Sequence, residues 1–247
     1  MQVRHVRSNG LILLLMVLAA VLGLGWGHAQ AAQQPIQGTQ GELSIGQVGA
    51  RLGPALPWLL GMDAPRTYLV LVQNNHELRA TGGFIAAVGR VTVDKGKPAE
   101  LDFVDSYQLY NPEHTYPTAP LPMRQHMAID LLLMRDANWS PNFPTTAQMA
   151  RALYAQETGV EVDGIFTVDI NAVKLLVGAL GELQVPGADE PITGANIEEQ
   201  MIRFWEQPAD FEDTISEPAQ EDWWSRRKDF VPAIAKAALE RVQYGPV

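Results

Sequence analysis

Apolar positions change spacing several times along the chain, and each spacing predicts a different element. Tyr68 to Val72 is a continuous apolar run, bounded by Pro65 and by Gln73-Asn74-Asn75, which predicts a central strand buried on both faces. Phe84 to Val93 and Glu100 to Val104 flank the turn residues Asp94 to Pro98. They predict a hairpin in which Leu101, Phe103 and Asp105 share one face and Asp102 takes the other, with Gly89 as a bulge site. Helical spacing starts at the capping box Thr145-Thr146-Ala147-Gln148 and carries Met149, Ala152 and Leu153 to a stop at Gly159. Val160 to Val168 predicts another strand, and Asp169 caps a helix with Val173, Leu176 and Leu180 that ends at Gly181. Leu183 to Val185 then reads as a short strand, making a β-α-β unit. A helix from Asn196, its cap completed by Glu199, and an amphipathic helix with Phe230, Ile234, Ala238 and Val242 come next. The pattern predicts an α/β fold: a mixed central sheet flanked by helices in α-β-α layers.

The ends of the chain have a different texture. Arg4, His5 and Arg7 precede the apolar run Leu11 to Leu24, and Ala29-Gln30-Ala31 offers a small-x-small cleavage pattern. The run is short against the ~20 residues of a full membrane span. Residues 1–31 are therefore either a signal peptide or a retained hydrophobic helix that anchors the chain in the membrane. Either way the basic flank places the rest of the chain outside the cytoplasm. Residues 32–47 form a Gln-, Gly- and Pro-rich linker, and 48–247 form the extracytoplasmic domain. No closing strand comes after the last helix, so the domain is expected to be truncated at its C-terminus. Between Glu206 and Asp222 lie seven acids and no base, an exposed acidic connector.

Composition narrows the chemistry. With 247 residues, 47% of them hydrophobic, the chain can bury a sizeable core. A net charge of -10 and a pI near 4.9 give no electrostatic footprint for nucleic acid. The absence of cysteine excludes disulfides, thiol nucleophiles and thiolate metal sites. The histidines lack zinc spacing, and no serine sits in a Gly-x-Ser-x-Gly elbow.

Candidate chemistry gathers in two polar stretches. The first, Gln73 to Gly83, succeeds the central strand at its carboxyl end, where open α/β sheets bind ligands, and its Gly82-Gly83 pair permits a close backbone approach. The second, Arg135 to Pro144, succeeds the apolar run Ile129 to Met134 and precedes a helix N-terminus, whose dipole favours an anion. Arg79 and Arg135 carry guanidinium forks suited to phosphate. Asp136 and Asp105 could act as general base or cation ligand, although no Asp-x-Asp-x-Asp run is present. Asn75 and Asn138 add polar contacts, and Trp139 offers a face to a sugar or isoprenoid. Bracing of the loop by an Arg135-Asp136 pair and a packed indole explains the same composition. The proline-rich segment Asp105 to Pro122, with Tyr107, Tyr110, His114 and Tyr116, reads as a lid or wall loop.

Three stretches carry a family resemblance: Gln73-Asn74-Asn75-His76-Glu77-Leu78-Arg79-Ala80-Thr81-Gly82-Gly83-Phe84, Arg135 to Thr145, and Val162-Asp163-Gly164-Ile165. Together they resemble the bacterial envelope family called domain of unknown function 4012, strongly over Leu56 to Val185 and more weakly at Arg227 to Phe230. The order of elements is also similar, more distantly, to the LytR-CpsA-Psr enzymes. These are membrane-anchored glycopolymer phosphotransferases that use Mg²⁺ and a polyprenyl-phosphate-linked glycan. The chain departs from them in having Gly181-Glu182-Leu183 where Gly-Gly-Val is usual. It also has Asp105-Ser106-Tyr107 where Ser-Ile-Pro-Arg-Asp comes after the hairpin, so it lacks their catalytic arginine. The resemblance implies an extracytoplasmic envelope protein that binds or transfers a phosphate-bearing lipid-linked glycan, with Asp136 and Asp105 catalytic. Arg79, Arg135, Asn75, Asn138 and Trp139 would then bind the ligand. The alternative is a non-catalytic assembly protein that meets another envelope protein. Arginines converging on an open cleft with an unpaired carboxylate would favour the first reading, and arginines far apart, or both buried against acids, would count against it.

Overall fold

The computed structural model describes residues 53–205 and 229–241. After a helical turn α1 (Leu56–Leu59), the chain enters β1 (Arg66–Asn74), β2 (Phe84–Asp94) and β3 (Lys97–Asp105). Helices α2 (Leu121–Met127) and α3 (Phe143–Thr158) precede β4 (Gly164–Asp169). Helices α4 (Ile170–Leu180), α5 (Ile197–Trp205) and α6 (229–241) complete the order. The sheet has the order β3-β2-β1-β4, with β1 antiparallel to β2 and parallel to β4. The apolar run at Tyr68 to Val72 is thus a central strand, as its continuous hydrophobicity requires.

Alternation along β1 builds the two sides. Leu69 and Leu71 pack with Ile85, Leu133, Met134 and the α3 residues Ala150, Leu153 and Tyr154. Val70 and Val72 face the other way, toward Val168, Ala172, Val173 and Val231. Beyond them α4, α5 and α6 share a cluster centred on Val177, Ile192, Ile197, Met201 and Phe230. Helices therefore cover both faces of a mixed sheet, the α-β-α arrangement the pattern predicts.

Local signals set most boundaries. Lys95 and Gly96 both take positive φ (49° and 74°), the two-residue turn whose twist suits a hairpin. Asp169 caps α4 by accepting from the Ala172 N–H at 2.8 Å, and Gly159 ends α3 at φ 70°.

Several expectations are corrected. Gly89 is not a bulge: the register shifts lie at Val72/Gln73 and Thr92/Val93, and a Cβ on Gly89 would sit 2.3 Å from the Phe103 ring. Glycine is there to admit that ring. The cap of α3 is Asn142, whose Oδ1 accepts from the Thr145 N–H, so the helix starts before the Thr-Thr pair. The segment read as a loop from Asp105 to Pro122 ends in a helix, with Pro122 in the first turn of α2, where its missing N–H costs nothing. Ile129 to Leu133 forms no regular element, and Leu131 pairs only with Thr118 through an isolated bridge. Leu183 likewise makes a lone bridge to Ile192, so no β-α-β unit forms there, and β4 finds its parallel partner in β1. The leader, the linker and the acidic connector lie outside the described residues. Among the described residues no helix is long and apolar enough to cross a membrane.

Candidate functional site

The two polar stretches meet at the carboxyl end of β1 and clasp each other. A short 3-10 turn, Met134–Asp136, places Asp136 beneath the loop that leaves β1, with only 1% of its side chain exposed. Arg79 Nε donates to Asp136 Oδ1 at 3.1 Å, and Arg135 Nε lies 3.9 Å from Asp136 Oδ2. Each carboxylate oxygen thus faces a guanidinium. The arginines are themselves seated: Arg79 also donates to the Leu78 carbonyl and lies over Phe84, and Arg135 lies 4.5 Å over the Tyr107 ring. Asn138 is fully buried, and its Nδ2 donates to the Ala80 and Gly83 carbonyls at 2.9 and 2.7 Å. One motif therefore satisfies the backbone of the other.

The Gly82-Gly83 pair serves the same clasp. A Cβ on Gly83 would sit 2.1 Å from the Asn74 carbonyl oxygen, and one on Gly82 would sit 2.7 Å from Gln73 Oε1. The close approach expected of these glycines is to the end of β1 itself. Thr81 beside them holds a left-handed conformation (φ 62°), and its hydroxyl accepts from Gln73 Nε2.

Around the clasp, two further clusters pin neighbouring segments. Glu157 on α3 accepts from the Tyr116 hydroxyl at 2.6 Å and pairs with His114 Nδ1 at 3.2 Å, which ties the proline-rich segment to α3 as a wall. Burial, then the Glu157 hydrogen bond, pushes the Tyr116 hydroxyl above its ordinary pKa. Glu198 on α5 accepts from Lys174 of α4 and from His76 Nε2, joining the loop after β1 to both helices. The Lys174 hydrogen bond, then that of His76, holds the Glu198 carboxyl below its usual range.

The opposite face of the sheet holds a feature of another kind. Between Tyr68, Val70 and Val72 of β1, Val91 and Phe103 of the hairpin, and helices α4 and α6 lies an apolar cavity of about 210 Å³. Its remaining walls include Leu59, Phe166, Val177 and Ala235, and every lining residue is apolar apart from the Tyr68 hydroxyl. That hydroxyl donates to the Leu59 carbonyl at 2.8 Å, and burial, then Asp163, pushes its pKa up to about 12.

The residues singled out in the sequence are thus brought together in part. Arg79, Arg135, Asp136 and Asn138 converge. Asp105 lies at the end of β3, where its carboxylate accepts from the Tyr107 N–H. Asn75 is exposed in the loop after β1. Trp139 packs against the cluster of Ala119, Met123 and Leu132. Among the described residues no three of His, Asp and Glu gather to hold a metal ion. The carboxylates of Asp136 and Asp105 are engaged with guanidiniums and backbone, so the donor set does not fit Mg²⁺. The cavity and the Glu157 and Glu198 clusters escaped the sequence reading. Alternation at Val91, Leu101 and Phe103 was the one available hint of the cavity.

Fold and clasp define a class: an α/β domain of α-β-α layers whose two polar motifs interlock at the carboxyl end of its central strand. The chain belongs to the family described as Protein of unknown function (DUF4012), whose model matches residues 63–203, more than half of the chain. The match runs from just before β1 into α5 and includes both halves of the clasp. No curated protein matches the chain.

Proposed function

We propose that the chain is a non-catalytic assembly module of the cell envelope, exported through its N-terminal hydrophobic segment and binding another envelope protein. One observation carries this reading: Asp136, the carboxylate best placed to act on a substrate, is buried with a guanidinium at each oxygen. A general base needs a lone pair open to the proton it takes. Of the arginines expected to seize a phosphate, Arg79 donates to this carboxylate and Arg135 lies 3.9 Å from it. The surface they leave exposes Leu78, 88% accessible, with Tyr107 and Tyr110. Aromatic and arginine side chains held rigid beside an exposed apolar group match the composition of protein interaction hot spots.

A second reading keeps one observation in its favour. Two guanidiniums converge within reach of one carboxylate, a disposition that would also receive the phosphate of a lipid-linked glycan. The LytR-CpsA-Psr likeness belongs to this reading, and its transfer step lacks an open base here.

The test places a photo-crosslinking amino acid at Leu78 or Tyr107 in the native envelope, with exposed Leu175 on α4 as control. A discrete protein adduct from the first two positions and none from the third is expected. Adducts to glycan alone would overturn the assembly reading.

A further inference from the structure

We infer that Glu157 of α3 is a positioning residue for the partner surface: through the Tyr116 hydroxyl it fixes the exposed Tyr110 ring, which meets the partner together with Tyr107 and Leu78. The inference rests on the assembly reading and adds to it a second brace, separate from the clasp. Tyr110 lies in the wall segment between β3 and α2, where neither helix nor strand holds the backbone from Leu109 to Pro117. Side chains must therefore hold an aromatic ring that is 44% exposed. The Tyr110 ring lies against Tyr116, with centroids 5.5 Å apart and planes at 31°. Tyr116 is itself buried in the core cluster that includes Leu133, Leu153 and Tyr154.

Tyr116 is set from two sides. Its hydroxyl donates to Glu157 Oε1 at 2.6 Å and accepts from the N–H of Asn111, the residue next to Tyr110, at 2.8 Å. One oxygen thus ties the backbone beside Tyr110 to α3. The Asn111 side chain accepts from the Glu113 N–H, and its carbonyl from the His114 N–H, which closes a tight turn over the ring. Glu157 is 5% exposed, and its two oxygens lie 3.2 and 3.3 Å from His114 Nδ1. Loss of the Tyr116 donor would leave a buried carboxylate short of a partner, so the contact is costly to break. The other exposed aromatic answers to a different carboxylate. Tyr107 is held by Arg135 at 4.5 Å and by the Phe84 ring at 6.2 Å, and Arg135 leads to Asp136. Tyrosine rings held in place before binding lose little freedom on association, which makes them effective anchors.

The experiment uses the full chain. Uniform 3-fluorotyrosine labelling gives one fluorine-19 signal for each of the six tyrosines, and that of Tyr110 is assigned by its loss in Tyr110→Phe. In Glu157→Leu the Tyr110 signal should move toward that of free tyrosine. Glu157→Gln, whose amide oxygen still accepts from Tyr116, should restore most of the shift. In the native envelope, the protein adduct from a photo-crosslinking amino acid at position 110 should fall about fivefold or more in Glu157→Leu, while that from position 78 is kept. Where Glu157→Leu fails to fold, Tyr116→Phe removes the same hydrogen bond and keeps the ring. An unmoved Tyr110 signal in the folded variant, or adducts from positions 78 and 110 that fall together, would overturn the positioning role. A moved signal with no protein adduct from either position in the parent would overturn the assembly reading on which it rests.

Discussion

The carboxyl edge of β1 and the face behind it are built on opposite principles. At the edge, polar groups with high desolvation costs are placed so that the partners of one are the backbone and side chains of the other: Asp136 under two arginines, Asn138 across two carbonyls. Loss of the Arg79 contact or of the Asn138 donor would leave a buried group short of a partner. On the face behind, the described residues line a partly open pocket with apolar side chains alone, where the only loss is contact. The loops that look like an active site are the closed part of the molecule. The plain hydrophobic face is the part with room.

Asp136 is the point at which this contrast breaks most sharply. Asp136→Ala removes the shared anion and strands Arg79, and should lower unfolding free energy by about 3–5 kcal/mol in a denaturant titration. A loss below about 1 kcal/mol would mean that the clasp does not brace the fold. Next comes Asn138→Ala, which leaves the Ala80 and Gly83 carbonyls without their donor and should cost about 1–3 kcal/mol. The cavity should respond differently to an added group. Val91→Phe would cost about 1–3 kcal/mol by overpacking in a filled core, but here should change the melting midpoint by the equivalent of less than about 1 kcal/mol.

The smallest effect concerns Glu198, which lies outside both regions. Its folded pKa is depressed below the ordinary carboxylate value by Lys174 and then His76, so its contribution is present above that value and is lost as pH falls through the folded pKa. Stability measured downward from about pH 5 should therefore fall less steeply in Lys174→Met than in the parent. Equal slopes would show that the Lys174–Glu198 pair does not couple to folding.

Much of the edge was legible as residue types and little of it as relations. The proximity of Arg135 to Asp136 in sequence raised the bracing alternative, and that alternative describes their geometry. The stronger pairing, from Arg79, spans 57 positions, and no local pattern reports it. Gly82 and Gly83 announced a close approach correctly, but whether a ligand or β1 would approach them depended on where the strand ended. Trp139 stood beside polar residues and packs among apolar ones, because the chain turns inward at Asn138.

Sequence alone determined the elements whose causes are local. The apolar run of β1, the Lys95-Gly96 turn, the Asp169 cap and the Gly159 stop each depend on neighbours within a few residues, so steric and hydrogen-bonding rules suffice to place them. Tertiary structure alone decided that β4 pairs with β1, that Asp136 is shared between two arginines, and that a cavity lies over the sheet. These depend on the summed packing of side chains far apart in the chain, and an unfilled volume belongs to no residue in particular.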